Sequence, residues 1–313
     1  MTALDRQILS AIEGGLRKER SAHGVCLRSD STIFGRASTV SKDCLRALWY
    51  EARGVEGEAF SLGAELTFDN GNMWHDRIRD WLCAAGLDVS MDEHVIQVNA
   101  VGLRITGHID GVLKINGENY LYDIKSASDY GFKKAGTEGE DTPYSRQTRI
   151  YARGLLAQGV KLAGAFLLYI AKDKKQIPSG AIALRGLPDT IDLYVKIVPV
   201  PLNDLETPIT RLDAIRASEP PDRLPAEEEN TFRFRIAVER SDGKRVFDDA
   251  AQTTHHIAIL PWQCAYCRWI KTCRPDADAA LHRSSGKGKE WFERTPLTAG
   301  PFDSWKVFEK KGE

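Results

Sequence analysis

Asp110, Asp123 and Lys125 stand within one stretch, Gly107 to Lys125, which reads Gly-His-Ile-Asp-Gly-Val-Leu-Lys-Ile-Asn-Gly-Glu-Asn-Tyr-Leu-Tyr-Asp-Ile-Lys. Two carboxylates and one ammonium around a small volume suit a hard cation such as Mg2+ or Mn2+, which takes oxygen ligands and leaves water and phosphate to complete its shell. The lysine would position a water and offset phosphate charge. Before the Asn116-Gly117 pair, Leu103, Ile105, Gly107 and Ile109 alternate with Arg104, Thr106, His108 and Asp110, the period of a half-buried strand, and a second alternating run follows. Asn-Gly between two such runs signals a hairpin, because both residues tolerate the positive φ of a type I′ turn. The two runs are therefore expected to lie antiparallel and adjacent. Tyr120, Tyr122 and Ile124 would take one face, and Leu121, Asp123 and Lys125 the other. Asp110 reaches the Asp123 side if register allows. An Asp-x-Lys on a hairpin is also an ordinary pair of surface charges, so the elements around it must decide.

At 313 residues the chain can hold one large domain or two modest ones, and 42% hydrophobic content with 13 prolines is that of a soluble globular protein. The net charge of −1 announces no global field for a polyanion, so a nucleic acid would have to be met by a local basic groove. No run of about 18 apolar residues exists to span a membrane, and Met-Thr-Ala-Leu-Asp-Arg-Gln lacks a basic segment followed by an apolar one. The expectation is a cytoplasmic protein with no membrane partner. Six cysteines in such a chain point to metal or catalytic use of some of them rather than to a disulfide framework.

Residues 4 to 17 can form an amphipathic helix through Leu4, Ile8, Leu9, Ile12 and Leu16. A second helix is expected to start near Ser38 or Ser41, carry Cys44, Leu45, Leu48 and Trp49, and stop near Gly54. A third should start at Asn70 and carry Trp74, Ile78 and Leu82 at helical spacing, with His75 beside that stripe and Gly86 as its stop. A strand near 93 to 99 precedes the hairpin, and a Gly- and charge-rich loop is expected from Ser126 to Asp141. Thr142-Pro143 starts a helix that carries Gln147, Ile150, Tyr151 and Leu155 to Gly159, with Gln147 and Tyr151 on one face. Strands at about Gly164 to Ala171 and Ile191 to Val198 complete an α/β core. The Pro- and acid-rich segment Ser218 to Glu229 reads as a linker, and Phe232 to Val246 as a hairpin around Asp242-Gly243. The tail beyond Asp276 shows one amphipathic patch near Trp291 and Trp305.

Cys264-Ala-Tyr-Cys267-Arg-Trp-Ile-Lys-Thr-Cys273 is a thiol triplet, and Cys44 is the best fourth member for a tetrathiolate site. Four thiolates serve either tetrahedral zinc or an iron-sulfur cluster, and the spacing leaves both open. Cys26 and Cys83 stand alone and read as small buried hydrophobes.

Taken in chain order, these features resemble the RecB-like branch of the PD-(D/E)xK nucleases, in particular the iron-sulfur exonucleases associated with CRISPR loci and their phage-borne relatives. The matches are Cys44 followed by Leu-Arg, Gly71 to His75 as Gly-x-x-x-His, Gly107 to Asp110 as Gly-x-x-Asp, Asp123 to Lys125 as Asp-x-Lys, Gln147 to Tyr151 as Gln-x-x-x-Tyr, and the triplet Cys264, Cys267 and Cys273. The resemblance implies a restriction-endonuclease-like α/β core, a mixed sheet flanked by helices, with the N- and C-terminal segments joined by a four-cysteine [4Fe-4S] cluster. It divides the chain into residues 1–70, a helical segment bringing one cluster cysteine, residues 71–200, the nuclease core, and residues 201–313, bringing the triplet and a tail. His75, Asp110, Asp123 and the Ile124 carbonyl would hold Mg2+ or Mn2+; Lys125 would orient the attacking water; Gln147 and Tyr151 would contact the substrate strand or support Lys125. Arg146 and Arg149, with Lys133 and Lys134 nearby, could meet a DNA backbone, though solvated charge explains them equally. The implied activity is metal-dependent DNA exonuclease action on single strands or frayed ends, in a homo-oligomer or beside a recombination or CRISPR-adaptation partner. Two other readings fit parts of the pattern: a non-catalytic DNA-end-binding subunit on a nuclease scaffold, and a zinc-stapled globular protein without a DNA role. The segment between Pro201 and Pro261 and the tail after Arg274 are longer than the family pattern.

Overall fold

The computed structural model describes residues 26–27, 32–60, 62–100, 102–175, 177–186, 189–224, 228–239, 245–259, 262–265, 267–274, 279–286, 289–296 and 308–310. The helix expected over 4–17 and the surroundings of Trp305 lie outside them. The chain divides into two compact units, one formed by Met1–Val55 with Phe60–Pro220 and the other by Glu56–Ala59 with Pro221–Glu313. None of the described helices is long and apolar enough to cross a membrane.

Among the described residues the first unit holds nine strands in two sheets. Strands β1 (Cys26–Leu27), β2 (Ile33–Arg36), β4 (Val95–Ala100) and β5 (Leu103–His108) form one sheet in the order β1-β2-β5-β4. Strands β3 (Asp88–Ser90), β6 (Gly111–Ile115), β7 (Glu118–Ala127), β8 (Gly164–Ala171) and β9 (Val195–Val200) form the other in the order β3-β6-β7-β8-β9. The Asn116-Gly117 turn forms as expected, with φ of 52° and 84°, and closes β6 against β7 in antiparallel register from Ile115↔Glu118 to Gly111↔Tyr122. The expected partner strand is corrected. The alternating run from Leu103 is β5, which belongs to the other sheet and pairs with β4 and β2. The run breaks at Ile109-Asp110, and Gly111 turns the chain at φ 150°, where a Cβ would come within 2.6 Å of the Tyr122 hydroxyl. Only glycine fits there.

The helices of this unit include α1 (Ala37–Val40), α2 (Leu45–Ala52), α3 (Leu62–Ala84), α4 (Asp129–Lys134), α5 (Pro143–Ala157) and α6 (Ser179–Arg185). The single helix expected from Ser38 or Ser41 is two, because the Ser41 hydroxyl donates to the Ala37 carbonyl at 2.6 Å and closes α1, leaving Cys44 to open α2. Helix α3 begins well before Asn70. A mid-helix glycine costs about 1 kcal/mol relative to alanine, and the packing of Trp74, Ile78 and Leu82 against Leu113, Tyr122, Ile124, Leu168 and Ile170 outweighs it. The loop expected after Ser126 is shorter: β7 runs to Ala127, and the Ser128 side chain caps α4 by accepting from the Gly131 amide. Helix α5 starts as expected, Thr142 accepting from the Ser145 amide at 3.1 Å with Pro143 in the first turn.

Helices α4 and α5 make the crossover that lets β8 lie parallel to β7, in register Asp123↔Leu167 and Lys125↔Tyr169. Ile150 and Leu155 of α5 bury against Ile96, Ile105, Leu121 and Leu167, so the helix is sandwiched into the larger core. The strand expected from Ile191 starts at Val195, after a 3-10 turn at Ile191–Leu193. The first part of the long segment after Pro201 belongs to the same core, through Ile209, Leu212 and Ile215. In the second unit β10 (Glu228–Glu239) and β11 (Arg245–Ile259) pair antiparallel on either side of Asp242-Gly243. The tail beyond Asp276 supplies β12 (Ala279–Gly286), β13 (Lys289–Pro296) and β14 (Phe308–Lys310). An α/β fold with mixed sheets flanked by helices is therefore what the chain forms.

Candidate functional site

Asp123 and Lys125 follow each other on one face of β7, and Lys125 Nζ lies 2.6 Å from Asp123 Oδ2. Asp123 is 1% exposed. Burial pushes its carboxyl up to about 6, with Lys125 opposing the shift and Asp110 adding to it. The same Oδ2 is buried and the Lys125 ammonium is its neighbour, supplying both a hydrogen bond and a charge. Asp110 sits in the break between β5 and β6. Its Oδ2 accepts from the Ile124 amide at 2.5 Å and its Oδ1 lies 2.9 Å from His75 Nδ1. Burial pulls the His75 imidazole down, yet the hydrogen bond and charge of Asp110 outweigh it and leave its pKa raised. Asp110 thus joins helix α3 to the backbone of β7 between Asp123 and Lys125.

A second chain of contacts leads away from the lysine. Lys125 Nζ donates to Gln147 Oε1 at 3.3 Å, and Gln147 Nε2 donates to the Tyr151 hydroxyl at 2.8 Å. Gln147 and Tyr151 are both buried on α5. Burial works against the Lys125 charge, but Asp123 and Asp110 outweigh it and raise its pKa. The Tyr151 ring packs so closely on β5 that a Cβ at Gly107 would stand 2.5 Å from Tyr151 Cε1. That glycine is required by close approach, not by backbone angle.

His75 touches Asp110, and Asp123, Lys125, Gln147 and Tyr151 form a second chain of contacts; the two groups are joined through the Ile124 amide, whose carbonyl belongs to the same strand. Arg146 and Arg149, read from the sequence as able to meet a DNA backbone, are not part of this group. Both are buried. Arg146 donates to the Ser41 carbonyl and the Asp141 carboxylate at 2.9 Å each and pairs with Asp43. Arg149 pairs with Asp141 at 2.6 Å and lies 3.6 Å from Asp204. Their charges are spent inside the fold. Lys133 and Lys134 pair with Asp129 and Glu138 on the surface.

Two aromatic residues join the site without belonging to any of the motifs. Lys125 Nζ lies over the Tyr144 ring at 5.0 Å, and Tyr144 meets Tyr169 edge-on at 6.2 Å. A sequence signal exists for Tyr144, which precedes Gln147 by one helical turn, while Tyr169 joins only as the register partner of Lys125 on β8.

The donor set fits a hard cation in one sense. Two carboxylates, Asp123 buried and Asp110 beside it, offer what Mg2+ or Mn2+ takes from protein when water and phosphate complete its shell. A closed cage is not present, since among the described residues no group of three or more His, Cys, Asp or Glu side chains is placed to hold a metal ion. The same holds for the thiols. Cys264 and Cys267 share one turn, with the Cys267 amide donating to the Cys264 carbonyl at 3.1 Å, and Cys273 closes the next short helix, while Cys44 belongs to the other unit. No three of them are grouped as ligands among the described residues.

A family profile described as the PD-(D/E)XK nuclease superfamily matches residues 32–274, more than half of the chain. No curated protein matches. Among solved structures, the chain is similar to the crystal structure of SSO0001 at 15% identity, over 66% of this chain and 85% of that one, with a TM-score of 0.37. It is similar at 12% identity to an alkaline exonuclease, LHK-Exo, from Laribacter hongkongensis, over 58% of this chain and 86% of that one, with a TM-score of 0.35. LHK-Exo in complex with dAMP matches at 14% identity over 58% and 83%, with a TM-score of 0.31.

Proposed function

The chain belongs to the PD-(D/E)XK nuclease superfamily, and from that premise we propose that it is a divalent-metal-dependent DNA exonuclease acting on single strands or frayed ends. The observation that carries the reading is the buried Asp123 on β7, in contact with Lys125 and beside an Asp110 that is tied to both His75 and the Ile124 amide. Asp110, Asp123, His75 and the Ile124 carbonyl would hold Mg2+ or Mn2+. Bound there, the ion supplies Lewis-acid stabilisation of the charge on the scissile phosphate. Lys125 orients the attacking water by donating to it and offsets phosphate charge. Gln147 accepts from that ammonium and is itself held by Tyr151, so the nitrogen stays in place while substrate enters.

The test is degradation of end-labelled single-stranded DNA with Mg2+ or Mn2+, against Asp123→Asn and Lys125→Ala, with product lengths read on substrates blocked at either end. The reading expects mononucleotide or short products from one end and their loss in both variants; unchanged activity in the variants would sink it. A second reading, a non-catalytic DNA-end-binding subunit, is favoured by the absence of a three-ligand group among the described residues. It expects DNA binding with no cleavage under any divalent ion.

The finer placement in the RecB-like iron-sulfur branch, near CRISPR-associated and phage-borne exonucleases, rests on motif order. Residues 71–200 would be the nuclease core, with residues 1–70 bringing Cys44 and residues 201–313 bringing Cys264, Cys267 and Cys273 to a structural [4Fe-4S] cluster. What supports it is the Cys264-Cys267 turn and a family match that runs through both Cys44 and Cys273. Brown protein with visible charge-transfer absorbance, bleached by Cys264→Ala, is the expected result; colourless protein with one zinc would replace the cluster by zinc. A homo-oligomer and a recombination or CRISPR-adaptation partner follow from the resemblance alone, and a cytoplasmic location from the sequence composition and N-terminus.

A further inference from the structure

The Lys125 ammonium has three protons to direct, on a side chain that is 14% exposed. Asp123 Oδ2 lies 2.6 Å away and takes one, and Gln147 Oε1 accepts another at 3.3 Å. A third neighbour is a ring. Nζ lies over Tyr144 at 5.0 Å, inside the distance of about 6 Å at which a cation is drawn to an aromatic face. The face attracts through its quadrupole and brings no charge, so it can fix the nitrogen without neutralising it.

The ring itself is seated from two sides. Tyr144 stands one turn before Gln147 on α5, so the same helical face presents an amide and a ring to the ammonium. The start of α5 is fixed by the Thr142 cap, and the Thr148 hydroxyl donates to the Tyr144 carbonyl at 3.0 Å. On β8, the buried Tyr169 is the register partner of Lys125 and meets the Tyr144 ring edge-on at 6.2 Å. Asp123 and Gln147 are buried, whereas Tyr144 is 45% exposed. Of these three neighbours the ring is the one open to solvent.

In the nuclease reading the Asp123 carboxylate is shared between the lysine and the divalent ion, which leaves Gln147 and Tyr144 as the contacts that serve the nitrogen without being drawn to the ion. Resting on that reading, we infer that Tyr144 is a positioning residue for the reaction: the face of its ring, not its hydroxyl, holds Lys125 Nζ where it orients the attacking water.

Two variants separate the ring from the bulk it fills. Tyr144→Leu removes the ring, and Tyr144→Phe keeps it and removes the hydroxyl; both changes fall at a half-exposed position, where the fold should tolerate them. The first measurement is NMR of the full chain with 13C-labelled lysine, the Lys125 Hε signals being those lost in Lys125→Ala. The ring current should place them upfield of the other lysines, keep them there in Tyr144→Phe and release them in Tyr144→Leu. The second is cleavage of end-labelled single-stranded DNA with Mg2+. Tyr144→Leu should lower kcat about tenfold, the scale of a desolvated contact between a cation and a ring, with KM little changed, and Tyr144→Phe should restore it. Unshifted Hε signals in the unaltered protein, full kcat in Tyr144→Leu, or a Tyr144→Phe as slow as Tyr144→Leu would each overturn the positioning. An unaltered protein that shows the shift and cleaves no DNA rejects the nuclease reading, whereas one that cleaves DNA without the shift rejects the role of Tyr144 alone.

Discussion

The amide of Ile124 donates to the Asp110 carboxylate across 2.5 Å, so a residue from the break after β5 is fixed on the backbone of β7 between Asp123 and Lys125. The other oxygen of that carboxylate meets His75 on α3. Asp110→Asn retains an oxygen that accepts from Ile124 but loses the charge. It should keep the fold and lose about 10²–10³ in kcat, the scale set by removing one preorganised electrostatic group. Asp110→Ala, which also leaves the Ile124 amide unsatisfied, should in addition unfold at lower temperature. Kinetics and thermal melts of the pair separate the two roles.

Asp123 gives a pH dependence whose sign is fixed by its burial. The folded carboxyl, at about 6, lies above the value of about 4 that it has when unfolded. The folded chain therefore binds more protons than the unfolded one between these values, and stability of the metal-free protein falls as pH rises through that window. Chemical denaturation at pH 4.5 and pH 7 should show this decline, and Asp123→Asn should reduce it. Millimolar Mn2+ should offset it at pH 7 by binding the folded form.

Gly107→Ala tests the close approach of Tyr151. The new methyl would stand 2.5 Å from Tyr151 Cε1, so the ring must move and release its hold on Gln147. Overpacking of this kind costs about 1–3 kcal/mol, and the displaced lysine should lower kcat more than it raises KM. A variant with full activity would show that the Tyr151, Gln147 and Lys125 contacts do not support the reaction.

Arg146 and Arg149 should behave as parts of the fold. Arg146→Ala removes charge-assisted hydrogen bonds of about 1.5–3 kcal/mol each and leaves Asp43 and Asp141 without their shared guanidinium. The expected outcome is a large fall in unfolding midpoint. The salt dependence of DNA binding, which counts phosphate contacts, should keep its slope in protein that remains folded.

Much of this arrangement can be read from local chemistry. Asn116-Gly117 and Thr142-Pro143 specify a turn and a helix start by backbone preferences that hold in any context, and both form. The period of two places Asp123 with Lys125, and they touch. What local chemistry does not contain is where a continuous pattern is cut. Leu103 to Asp110 alternates without interruption, yet the strand ends at His108 because Gly111 turns the chain against Tyr122. Asn70 resembles a cap, yet α3 passes through it because Ile78 on the following turns is buried, with Trp74 and Leu82 packed half-buried beside it. For Arg146 and Arg149 the sequence shows charge and not burial, since Asp43 and Asp204 approach only in the folded chain. Tyr169 joins the site through strand register, which depends on how β8 returns beside β7.

The central claim is that Asp110, Asp123 and His75 grip one divalent ion, and Mn2+ binding followed by electron paramagnetic resonance tests it most directly. The full chain should take up Mn2+ at one site per chain, with affinity reduced at least about tenfold in Asp123→Asn and in His75→Ala, the scale on which single groups around a metal act. Equal Mn2+ affinity in the unaltered protein and in both variants would contradict it.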